Sequence, residues 1–142
     1  MKKIMNNPPK ELNVGHMLSY LYYFFAKFGD GQIVVEEQQS IYETITEWMG
    51  KDSSFDENKK VLLEAWDWFD GCDDYEKPDV LENVMSVLKK SDAFPNDMLP
   101  LILADLVKIA KADGEISGNE TALILRIALS LEIDMAYIKA LL

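Results

Sequence analysis

Two stretches of this chain, "DGQIVVEE" (residues 30–37) and "DGEISGNE" (113–120), share the pattern D-G-x-I-x-x-x-E. Each carries a carboxylate at its first and eighth positions. Carboxylate oxygens are hard ligands, so Asp30, Glu37, Asp113 and Glu120 are candidate metal ligands. Such a set suits Mg²⁺, Ca²⁺ or Mn²⁺ better than Zn²⁺. It requires the two turns to meet in space. The pattern falls on positions 5, 6, 8 and 12 of an EF-hand loop. Positions 1 and 3 would then be Ala26 and Phe28 in the first copy, and Ile109 and Lys111 in the second. None offers a side-chain oxygen, so calcium binding in the EF-hand mode is excluded.

The same residues also read as helix punctuation. Gly114 can end a helix in the left-handed conformation, and Ile116 can pack beneath the turn. Ser117 and Glu120 have capping-box spacing. Two details fit this bland reading less well. Asp30 and Asp113 sit at helix C-termini, where the macrodipole disfavours an anion by roughly 0.3–1 kcal/mol. Val34 stands where Ser117 stands in the other copy, yet Glu37 is present. The metal site and the plain helix turn both stay open.

The densest run of acids is "WDWFDGCDDYEKPD" (66–79). Asp67, Asp70 and Asp74 share a helical face only if the helix continues past Gly71, which is expected to end it. With Asp73 they form a candidate docking patch for a basic partner, or simply a solvated acidic loop. His16 is the only histidine and has no metal-spaced companion. It is expected at a helix surface or in packing. Cys72 is expected as an exposed thiol whose acidic neighbours raise its pKa, which argues against a nucleophile. No Ser-His-Asp set and no phosphate-cradling glycine loop is present.

The elements that must position these residues are helical. Apolar residues recur at i, i+3, i+4 and i+7 in segment after segment. The spacing predicts helices over 13–28, 35–49, 56–70, 78–90, 97–112, 118–131 and 134–141. Leu99, Ile102, Leu103, Leu106, Ile109 and Ala110 share one face, with Asp105, Lys108 and Lys111 opposite. The 118–132 segment has only a narrow polar stripe and is expected to be largely buried. Trp48, Trp66 and Trp68 are assigned to the core, with some aromatics free to line a groove. Glycines 29, 31, 50, 71 and 114 fall where helices stop. Ser54 or Asp56, Asp79, Asn96, Ser117 and Asp134 fall where they start. The expected architecture is all-α: one compact domain of about seven helices, with two helix-turn-helix repeats around a central helix pair. Residues 1–11 are expected to be a flexible N-terminal segment and 12–142 the domain.

Composition bounds the function. The chain has 142 residues, 49% of them hydrophobic, enough for one real core. Its formal net charge of -11 repels phosphate backbones and excludes nucleic acid as an expected partner. A metal cation or a basic protein partner is favoured instead. One cysteine permits neither a disulfide framework nor a cysteine-based zinc site. The apolar run "MLSYLYYFFAKF" (17–28) is too short to span a bilayer, so it reads as a buried helix. No signal peptide is legible, and a cytoplasmic location is expected.

"LILADLVKIAKADGEISGNETALILRIALSLEID" (101–134) resembles the C-terminal part of TerB-like domains of the tellurite-resistance family. Ala110, Ala112, Asp113, Gly114, Ile116 and Glu120 carry the match, and Asp30, Gly31, Ile33 and Glu37 match an earlier copy of the motif. The resemblance extends from about 12 to 140. It implies an all-α fold of about seven helices and a bacterial stress-related role without catalysis. Acidic residues that hold a divalent cation are also implied. Family members attached to DnaJ-like co-chaperones imply scaffolding as an alternative, as would a metal-independent acidic interaction module. The chain departs from the pattern at "FGDG" in the first copy. It departs again at "LEID", where a Leu-Gly pair is common.

Overall fold

The computed structural model describes residues 8–31, 33–50, 52–91, 96–112 and 114–141, with the backbone alone at Asp30 and Asn96. Residues 1–7, most of the expected flexible segment, lie outside them. Seven α-helices follow in order: α1 (Val14–Asp30), α2 (Val35–Met49), α3 (Phe55–Gly71), α4 (Lys77–Lys90), α5 (Leu99–Lys111), α6 (Gly118–Ser130) and α7 (Met135–Leu141). A 3₁₀ turn, Asn96–Met98, leads into α5. There is no strand among the described residues. No helix among them is long and apolar enough to cross a membrane.

α1 is apolar nearly all round, and it is correspondingly buried. Every residue from His16 to Ala26 is at most 8% exposed. A helix without a polar face must be enclosed by others, and α1 packs against α2, α3, α4, α5 and α6. Its start is fixed by Asn13, whose side chain accepts the His16 N–H at 3.1 Å, while the Asn13 N–H donates to His16 Nδ1 at 3.1 Å. That second bond makes Nδ1 an acceptor. The imidazole proton therefore sits on Nε2 and is donated to Glu64 Oε1 at 3.0 Å. His16 is thus a buried packing and capping residue tying α1 to α3.

The aromatic core is centred on α1 and α3. Tyr20 meets Trp68 with ring centroids 4.5 Å apart and Phe69 at 5.3 Å. Trp68 is 2% exposed, whereas Trp66 is 36% exposed and Trp48 is half-buried, so only one of the three tryptophans belongs fully to the core. α6 is less enclosed than its composition implies: Ile124, Ile127 and Ala128 are buried, but Leu129 is 66% exposed.

The helix ends are closed by different residues and by different means. Ser54 and Ser117 cap α3 and α6 with capping boxes. Asp79 lies in the first turn of α4, whose cap residue is Glu76. Gly31 (φ 86°) is the left-handed residue closing α1, and its N–H donates to the Lys27 carbonyl at 2.7 Å. Gly29 lies inside α1 and Gly71 is the last residue of α3, so neither is the cap expected. The "LEID" departure has a visible cost. α6 ends in a Schellman motif, with the Ile133 N–H donating to the Ala128 carbonyl at 3.0 Å. Glu132 occupies its left-handed position at φ 58°, where glycine would be unstrained.

Candidate functional site

The first acidic turn joins α1 to α2. α2 is preceded by Val34 in extended backbone, φ −87° and ψ 164°. Valine has no side-chain oxygen, so only half of a capping box exists here: the Val34 N–H donates to Glu37 Oε1 at 3.1 Å. The second turn joins α5 to α6 and carries the complete box. Ser117 Oγ accepts the Glu120 N–H at 3.1 Å, and the Ser117 N–H donates to Glu120 Oε1 at 2.8 Å. Ile33 and Ile116 both pack half-buried against the core beneath their turns.

Glu37 and Glu120 therefore hold the same place in their helices. Both are also buried, at 0% and 1% exposure. Burying a carboxylate is costly unless polar partners compensate, and one oxygen of each is satisfied by the backbone as described. Room for Glu120 comes from Gly29. A Cβ at that position would lie 2.8 Å from Glu120 Cγ and 3.7 Å from Oε2. Glu120 thus rests on the last turn of α1, one residue before Asp30, and both turns lie at this end of α1. Asp113 and the side chain of Asp30 lie outside the described residues. Among the described residues no group of three or more His, Cys, Asp or Glu is arranged to hold a metal. The two glutamates alone give too few ligands for a hard cation. Their buried oxygens suit Mg²⁺, Ca²⁺ or Mn²⁺ only as part of a larger set.

The acidic stretch after α3 is arranged differently. Asp67, Asp70, Asp73 and Asp74 are all exposed. α3 stops at Gly71, so Asp67 and Asp70 project from the helix while Asp73 and Asp74 belong to the following turn. Asp74 accepts from Lys77 Nζ at 3.2 Å. Lys77 is 5% exposed; its ammonium also donates to the Cys72 carbonyl and lies 4.9 Å from the centroid of the Phe69 ring. Cys72 is not the exposed thiol expected but is 2% exposed, with Sγ donating to the Trp68 carbonyl at 3.3 Å. Burial pushes its thiol pKa up, more than the nearby acids do.

One acid was missed by helical periodicity. Asp105 is half-buried, and its Oδ2 accepts from the Tyr22 hydroxyl at 2.5 Å and from Trp48 Nε1 at 2.7 Å. It thereby links α5 to α1 and α2. Burial raises its pKa, and the two donors act against that rise. Its only signal in the sequence is a lone acid inside the apolar run "LPLILADLV".

These features define an all-α domain whose first and last helical hairpins meet at one end of a buried central helix. The family profile described as tellurite resistance protein TerB matches residues 26–141, and the chain belongs to that family. The match takes in both acidic turns and starts later than the residue 12 expected from the resemblance. Neither curated proteins nor solved structures yield a match.

Proposed function

We propose that this domain is a non-enzymatic stress-response module of the tellurite-resistance type that holds a divalent cation between its two acidic turns. Asp30, Glu37, Asp113 and Glu120 supply the ligands. The observation that carries the reading is the burial of Glu120 on the last turn of α1, beside the turn that leads to the equally buried Glu37. A bound cation offsets the cost of gathering carboxylates away from water.

Thermal melts of chelator-stripped protein, with and without Mg²⁺, Ca²⁺ or Mn²⁺, test it. A cation at 100 times its dissociation constant adds about 2.7 kcal/mol, several degrees for a domain of this size. Glu120→Gln and Glu37→Gln keep an acceptor for the Ser117 and Val34 amides while removing charge. Both should fold and lose the shift. If the stripped wild-type protein melts identically with every ion, the turns are helix caps only.

A second reading, a metal-independent interaction module, is favoured by one surface. A groove of about 400 Å³ between α2 and α3 is lined by Tyr23, Tyr42, Leu63 and Trp66, among others. Leu63 is 54% exposed, and Phe55, 62% exposed, packs edge-on against Tyr42. Lys59 is the charged residue of the groove lining and Asp67 and Asp70 stand further along the same helix, so an amphipathic segment with its apolar face in the groove fits this surface. Partner binding that persists in chelator and weakens with salt supports this reading over the first.

A further inference from the structure

A second groove, of about 330 Å³, runs between α2 and α5. It is lined by Glu47, Trp48, Met98, Leu101, Ala104 and Asp105. Its floor and its rim differ in kind. Met98, Leu101 and Ala104 give apolar surface, and Leu101 is 44% exposed. Asp105 sits among them with both its hydrogen bonds on Oδ2, donated by Tyr22 and Trp48. Those bonds fix the carboxylate without using Oδ1, which has no hydrogen-bond partner among the described residues. Glu47 stands at the rim with its side chain 75% exposed. Lys108 is the base facing both acids, and its Nζ comes no closer than 3.9 Å to Glu47 Oε1 in an exposed pair. Such a pair is worth little and is easily exchanged.

A half-buried, prepositioned carboxylate beside apolar walls is complementary to a cation on an apolar stem. It repels anions, and a purely apolar ligand would strand the carboxylate. An arginine or lysine side chain matches both parts, with arginine favoured because its guanidinium is more weakly hydrated than an ammonium and can donate to Oδ1 while its plane lies along the apolar wall. Glu47 and Leu101, both exposed, leave the groove reachable from solvent, as a surface that receives a chain segment is. The net charge of -11 draws basic segments toward it. We infer that the α2/α5 groove is a docking socket for an arginine side chain of a partner protein, flanked there by apolar residues. The inference is independent of the cation at the acidic turns.

The test is a titration of ¹⁵N-labelled protein, in chelator, that follows the Trp48 indole N–H resonance. The probes are the blocked peptide Ala-Leu-Arg-Leu-Ala, its Ala-Leu-Gln-Leu-Ala analogue, and butylguanidinium. The arginine peptide should shift the resonance saturably, with affinity falling as salt rises. The glutamine peptide should bind about tenfold more weakly or worse, and so should the arginine peptide to Asp105→Asn. That variant keeps an acceptor for Tyr22 and Trp48, so its resonance also reports whether the fold is intact. Glu47→Gln, on the exposed rim, should weaken binding severalfold with an unchanged melt. Three results overturn the inference: no saturable shift with the arginine peptide, equal binding of the glutamine peptide, or full affinity in Asp105→Asn. Butylguanidinium binding as tightly as the peptide overturns the partner and leaves a small-cation site.

Discussion

Asp67, Asp70, Asp73 and Asp74 crowd the end of α3 and stand in water, whereas Glu37 and Glu120 lie far apart in the chain and are buried. The crowded acids are the conspicuous ones in the sequence. Yet water screens them, and among the described residues Asp74 alone of the four has an ion-pair partner, Lys77. The sparse acids are inconspicuous, and they occupy the positions where a charge is expensive. The density of charge along a chain is therefore a poor guide to where charge matters. Burial decides it, and for Glu120 burial depends on a glycine in another helix.

The largest expected effect comes from carrying the contrast to other buried ionisable groups. Burial raises the pKa of Tyr20, Tyr22 and Tyr23, that of Tyr23 to about 12. Each folded value lies above the unfolded value near 10. The folded chain thus holds these protons longer than the unfolded chain does. Stability is complete below pH 10 and falls as pH rises through the folded values, by up to about 1.4 kcal/mol per pH unit for each group. The domain should unfold cooperatively at alkaline pH, with tyrosinate absorbance and helix loss appearing together. Tyrosinate absorbance from all three that rises while the helices persist would show that they ionise without leaving the core, and the contrast would fail.

Next in size is Glu120→Ala. It removes the acceptor of the Ser117 N–H and empties the space over Gly29, and should cost roughly 1–3 kcal/mol in chemical denaturation. Ser117→Ala removes only the hydroxyl half of the box and should cost about 1 kcal/mol. Val34→Thr supplies that missing half to the other turn and should return part of a similar amount. Unequal responses to these changes would show how far the two turns are equivalent. Glu132→Gly sharpens the comparison in another way. Glu132 is an exposed acid whose cost lies in its backbone, so relieving φ 58° should raise stability by about 0.5–1 kcal/mol despite the lost ion pair with Lys89. The smallest effect is expected for Asp67→Asn, Asp70→Asn and Asp73→Asn, each within about 0.5 kcal/mol of wild type. A loss near that of Glu120→Ala at any of them would break the comparison outright.

The helices were legible because their apolar spacing is a local property. α2, α3 and α4 begin and end within one residue of the spacing-based ranges. What the spacing could not report was the environment on a helix's other side. Asp105 reads as a surface residue until Tyr22 and Trp48, 83 and 57 positions away, are brought to it. Trp66 and Trp68 look equivalent, and only the packing of α1 separates them. Gly29 reads as a helix stop because glycine usually is one; its purpose is set by a side chain from α6. Of the four candidate ligands, Glu37 and Glu120 show their burial only in three dimensions. The motif that drew attention to them is a pattern of turns.

The contact between Gly29 and Glu120 has a further consequence for how the domain holds together as one unit. The D-G motif occurs twice, and each copy lies in a helical hairpin. The second hairpin is not self-sufficient, because α1 of the first supplies the wall against which α6, like α3 and α4, is completed. Widening α1 by a single methyl at residue 29 would press on a side chain contributed 91 positions later. The chain therefore repeats its local instructions while the second copy leans on a helix of the first.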